Sequence, residues 1–168
     1  MYLTPAQLAD GPGARLEIAQ LFELDADLVA VTLAGGDRSE WSADEIAAAD
    51  AAIATIEAVI ERADGEVDAH LAQRGYTLPL NPEAFPVLVT WSRAIARYHL
   101  QIQRDRTNED TGRIERDYRD ALRALRAVAD GKLSLGAGDP LTSGSTEPAS
   151  VQSSGESRRF SRAALRGQ

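Results

Sequence analysis

The stretch that begins at Ser42 leaves this chain little freedom. Ser42-Ala-Asp-Glu45 has the spacing of a capping box, in which a serine oxygen and a glutamate carboxylate satisfy each other's orphan amides. Behind it Ile46, Ile53, Ile56, Ile60, Ala63, Val67 and Leu71 recur at three- and four-residue steps. The phase survives Gly65, a residue that costs about 1 kcal/mol relative to alanine inside a helix. The pattern predicts one helix from about Ala43 to Gln73, bent if anywhere at Gly65. At about 1.5 Å per residue it is about 45 Å long.

The segments around it read the same way. Thr4-Pro5 is a helix start, with a hydroxyl cap and a proline at the first helical position. Ala14–Glu23 predicts a short second helix with Leu16, Ala19, Leu21 and Phe22 inward. Residues 24–40 look less regular, and Gly35-Gly36-Asp37 marks a turn. A helix from near Pro86 turns Leu88, Trp91, Ile95, Tyr98 and Ile102 inward. Another from near Asn108 does so with Ile114, Tyr118, Leu122, Leu125 and Val128, and Gly131 stops it. Glu115 and Arg119, four apart, support that last helix.

Between the long helix and the Trp91 helix lies HLAQRGYTLPL, residues 70–80. Leu71 closes the long helix onto the core. Arg74-Gly75 ends it, because glycine is free to take the left-handed conformation. Pro79, Pro82 and Pro86 forbid helix and keep the crossover extended. Leu71, Arg74, Gly75, Tyr76, Leu78, Pro79 and Leu80 together read as a joint that sets the angle between two helices.

Composition agrees with an all-α fold: a small helical bundle with one long central helix, two further long helices, short N-terminal helices and an extended C-terminal tail. Hydrophobic residues make up 43%, much of it alanine, and aromatics only 5%. Such a core suits close helix packing better than a β-sandwich. The net charge of −8 argues against duplex binding by the chain alone. It is also uneven. Up to residue 90 the only basic residues are Arg15, Arg38, Arg62 and Arg74, whereas the part from Trp91 onward is arginine-rich. An acidic half and a basic half suit head-to-tail association of identical subunits. The absence of cysteine excludes disulfides and thiolate chemistry. No signal peptide or apolar run of membrane-spanning length is visible, so a soluble protein is expected.

The organisation that emerges is a helical domain over residues 1–136, a Ser/Gly/Thr-rich flexible linker over 137–156 and a docking segment over 157–168. The linker lacks the apolar groups that would offset its ordering entropy. In the terminal segment Phe160 and Leu165 sit among Arg158, Arg159, Arg162 and Arg166, a pattern suited to docking on a partner.

Chemistry is harder to find. His70 and His99 are the only histidines. Glu66 or Asp68 could join His70 at a metal, but the E-x-x-H and H-E-x-x-H spacings of helical metal sites are missing. Gly131-Lys132 lacks the rest of a phosphate loop, and Asp25 and Asp27 lack the rest of a calcium loop. Trp41 and Trp91 read as core or interface anchors. The expectation is a non-enzymatic assembly module with no cofactor. The rivals are a monomeric or dimeric adaptor with a docking tail, and a small metal-binding or enzymatic bundle.

Four segments, in order, carry a resemblance: MYLTPAQL, VDAHLAQRGYTLPL, FPVLVTWSRAIARYHL and ERDYRDALRALRAVADGKLSLG. With the closing Arg158-Arg159-Phe160-Ser161-Arg162-Ala-Ala-Leu165, they are similar to the Mu-like phage and prophage head–tail connector (adaptor) proteins. The chain departs from that pattern at His70, where the family commonly has tyrosine, and at Gly75, which interrupts an Arg-Tyr step. The resemblance implies a virion protein at the head–tail junction, assembled in the bacterial cytoplasm. Its partners would be further copies of itself in a ring, by analogy a dodecamer, the portal protein, and a downstream tail or stopper protein. DNA would pass through the ring without sequence-specific binding, and no membrane is involved.

Overall fold

The computed structural model describes residues 1–11, 13–103, 111–136 and 138–140. Among them six helices and no strands occur: α1 Pro5–Leu8, α2 Ala14–Phe22, α3 Ala26–Ala34, α4 Ala43–Arg74, α5 Pro86–Gln103 and α6 Thr111–Ala129. The fold is all-α. α4, α5 and α6 pack mutually as a three-helix bundle, and α1 and α3 lie against α4.

The ends of α4 show why it forms where it does. The Ser42 Oγ accepts from the Glu45 amide at 3.3 Å, and Glu45 Oε2 accepts the Ser42 amide at 2.8 Å. At the other end Gly75 stands at φ 95°, so its amide reaches Ala72 O at 2.9 Å and the Tyr76 amide reaches Leu71 O at 3.2 Å. Both orphan carbonyls are satisfied by one left-handed residue. The helix continues through Gly65, which lies on the solvent side.

The buried stripe is shifted from the expected one. Ile56, Ile60, Ala63, Val67 and Leu71 are fully buried. Ile46 and Ile53, however, are only half-buried, and Ala49 and Ala52 take the inner positions beside them. Small side chains at these positions let neighbouring groups approach α4 closely, as an alanine-rich core allows. In α5 the buried set is Leu88, Trp91, Ser92, Ile95, Ala96, Leu100 and Gln101, with Tyr98 half-buried and Ile102 59% exposed. In α6 Ile114, Ala121, Leu125 and Val128 are buried.

Three further expectations need correction. Residues 26–34 form a regular helix. The Asp25 carboxylate accepts from the Asp27 and Leu28 amides at 2.8 and 3.1 Å and so caps it. Its apolar sequence conceals the period that would have revealed it. Leu16 is 54% exposed, and Ile18 takes the inward position beside Ala19 and Leu21. Ile102, expected inward, faces out at the next-to-last position of α5.

Candidate functional site

The 70–80 joint is tied from two directions. Leu71 and Tyr76 are buried, Leu78 and Leu80 pack against the core, and the Leu78–Pro79 peptide is cis. Arg74 sends its Nε and one terminal nitrogen to the two carboxylate oxygens of Asp139, each at 3.1 Å. This pair is almost completely enclosed, with the Asp139 side chain 0% and the Arg74 side chain 9% exposed. Two parallel bonds fix the guanidinium plane as well as neutralising it. The chain after α6 therefore returns to the end of α4. Pro140 lies against Gly75, and the Tyr76 hydroxyl accepts the Leu135 amide at 3.4 Å. The packed part of the chain reaches past Gly136 to Pro140. Burial raises the Tyr76 phenol above its ordinary pKa, and the Asp139 charge adds to the rise.

The amino terminus supplies the second tie. Tyr2 is buried, and its amide donates to Asp64 Oδ2 at 2.7 Å. Its hydroxyl donates to Asp68 and accepts the Leu80 amide at 3.3 Å. One side chain thus joins residue 2, α4 and the crossover. Burial raises the Tyr2 phenol strongly, and the bond to Asp68 raises it further. Asp64 is itself buried, and Ser92 Oγ of α5 donates to its other oxygen at 2.5 Å. A carboxylate that reads in the sequence as one of many solvated acids is a buried cross-brace between α4, α5 and the N-terminal segment.

A third polar group lies where α4, α5 and α6 meet. His99 Nε2 donates to Glu66 Oε2 at 3.1 Å. The Tyr98 and Tyr118 rings stack at 3.9 Å, and His99 meets Tyr118 edge-on at 6.0 Å. Tyr118 is raised by burial first, then by the Glu66 carboxylate and Tyr98 beside it. His70 turns the other way: its Nδ1 donates to the Glu66 backbone carbonyl at 2.8 Å, one turn back. Glu66 and His70 are not brought together as side-chain ligands. Among the described residues no group of three or more His, Cys, Asp or Glu could hold a metal ion. None of the described helices is long and apolar enough to cross a membrane.

The long helices also divide the surface charge. α4 carries eight carboxylates against Arg62 and Arg74, and Asp50, Glu57 and Glu61 lie exposed on one stripe, Asp50 paired with Arg38. α6 carries five arginines against three carboxylates, with Arg116, Arg119, Arg123 and Arg126 exposed on one stripe. Arg119 pairs with Glu115 and Arg123 with Asp120, so part of that charge is used within the helix. The arginine-rich segment with Arg158, Arg159, Phe160, Arg162, Leu165 and Arg166 lies outside the described residues.

These features define a class: an all-α domain, braced by enclosed polar ties, whose long helices differ in charge. The chain belongs to the family described as Bacteriophage Mu, Gp36, whose sequence pattern matches residues 2–153. It is therefore a phage-type protein. No curated protein and no solved structure matches it.

Proposed function

We propose that this protein is a head–tail connector subunit of a tailed phage or phage-like particle. Copies form a ring that joins portal to tail and leaves a channel for DNA. The observation that carries the proposal is the family membership of a chain whose long helices bear opposite charge. In a ring each subunit meets its two neighbours through different faces. The acidic α4 side of one copy against the arginine side of α6 in the next would set their order. Carboxylates left toward the channel would repel phosphate and let DNA slide.

In this role the enclosed ties at the joint are structural. They hold α4 at a fixed angle to α5, so that a neighbour meets one surface rather than an ensemble. The protein acts without a cofactor and catalyses no reaction. The experiment is a charge reversal. Asp50, Glu57 and Glu61 are changed to lysine, and Arg116, Arg119 and Arg123 to glutamate in a second variant. Each variant alone loses ring formation on portal, and an equimolar mixture regains it as mixed contacts. Assembly of either single variant at wild-type yield would refute the proposed interface.

A further inference from the structure

Between α4 and α5 lies an open groove that no described element covers. Ala54, Thr55, Ala58 and Val59 of α4 form its floor, and Tyr98 and Ile102 of α5 form one wall. Its space is about 850 Å³. Ile102 stands 59% exposed at its rim, second only to Met1 among the large apolar side chains of the described residues. The next stripe of α4 carries Glu57 and Glu61, both exposed; among the described residues the groove is also lined by Arg62 and His99. The surface is thus an apolar trough with an acidic edge.

Pro140 is seated against Gly75, at the C-terminal end of α4. Counting back along that helix from Gly75, Arg62 is about 20 Å away and Ala54 about 31 Å, at 1.5 Å per residue. Residues 141–156 can span up to about 54 Å when extended. Residues 157–168 can therefore reach every part of the groove of their own subunit. Their chemistry matches it: Phe160 and Leu165 for the trough, and Arg158, Arg159, Arg162 and Arg166 for the Glu57–Glu61 edge. A tether of this length gives an effective concentration on the order of mM, so a weak contact suffices to hold the segment.

We propose that in the isolated subunit residues 157–168 occupy the α4–α5 groove of the same chain. Phe160 lies between Ala58 and Ile102, and the arginines face Glu57 and Glu61. The segment then covers part of the acidic α4 side until assembly displaces it. This deepens the connector reading by naming a receptor for the terminal segment, but it concerns the lone subunit.

The chain has no cysteine, so disulfide trapping in the full-length protein is clean. Ala58→Cys with Ser161→Cys is oxidised under dilute conditions beside Gln20→Cys with Ser161→Cys. Ala58 and Gln20 are both exposed, so neither cysteine disturbs the core. The expected result is an intrachain disulfide in the Ala58 pair, forming at least tenfold faster than in the Gln20 pair. The advantage falls to the control rate with Phe160→Asp, and declines as salt is raised. Equal rates in the two pairs, or a Phe160→Asp variant that closes as fast, overturns the proposal. So does trapping only between copies, which would assign the groove to a second chain. Thermal melts of each reduced variant check that the helical domain is intact. Portal is absent from this assay, so its failure leaves the connector reading standing, and failure to bind portal leaves this result standing.

Discussion

Removing the Asp139 charge tests whether the return of the chain onto α4 holds the domain together. In Asp139→Asn the Arg74 guanidinium stays enclosed, with 9% of its side chain exposed and no carboxylate to meet it. Breaking a buried pair by removing one partner costs about 3–5 kcal/mol, because the remaining charge is left uncompensated. For a domain of this size, each kcal/mol lowers Tm by about 2–4 °C, so the loss is about 10 °C. The contrast with a double replacement is sharper. Arg74→Met with Asp139→Leu exchanges both charges for apolar groups of similar bulk, and such exchanges are often neutral. The double variant is therefore expected to recover most of the stability that Asp139→Asn loses. Urea unfolding of the three proteins, followed by helical circular dichroism, measures all of it. A loss below about 1 kcal/mol in Asp139→Asn would show that the enclosed pair does not hold the chain onto α4, as would a double variant weaker than the single one.

Alkali should unfold the protein early. Tyr2, Tyr76 and Tyr118 keep their protons above the ordinary tyrosine value of 10.0. Past pH 10 the unfolded chain releases those protons first and binds fewer than the folded one. Stability is thus complete below pH 10 and falls above it, by up to about 1.4 kcal/mol per pH unit for each phenol. Tyr2→Phe makes that decline shallower; urea midpoints that stay level from pH 9 to 11 would contradict this. Gly131→Ala is expected to cost about 1–3 kcal/mol, since φ is 75° there and a Cβ would run into the Arg74 guanidinium. Gly65→Ala, with open space around the added carbon, is expected to stabilise α4 by about 1 kcal/mol. Melting temperatures that move in the same direction for both glycines would count against the account.

How much of this is legible in the sequence depends on the range of the interaction involved. The capping box at Ser42, the glycine stop at Gly75 and the apolar stripes of α4 to α6 are local, and local patterns survive in a sequence. α3 was hidden because its residues are apolar on nearly every side, leaving Asp25 as the only sign of a helix start. Leu16 and Ile18 share one short helix, and only the position of its neighbours decides which of them is buried. The joint residues were visible as a chain of turn and apolar signals. Their anchors were not: Tyr2, Asp64, Ser92 and Asp139 are 28 to 78 residues from the groups they bind. Nothing in the spacing of a buried aspartate separates it from a solvated one. The charge difference between the two halves could be counted from the sequence, but its placement on stripes of α4 and α6 required the fold.

The most direct measurement is made with purified portal protein from the same phage. The full-length chain is titrated onto it, and the complex is followed by sedimentation velocity and native mass measurement. A connector subunit gives a saturable complex carrying one closed ring of this protein per portal, with the free chain smaller than the ring. A chain that shows no binding to portal at any ratio would contradict the connector function.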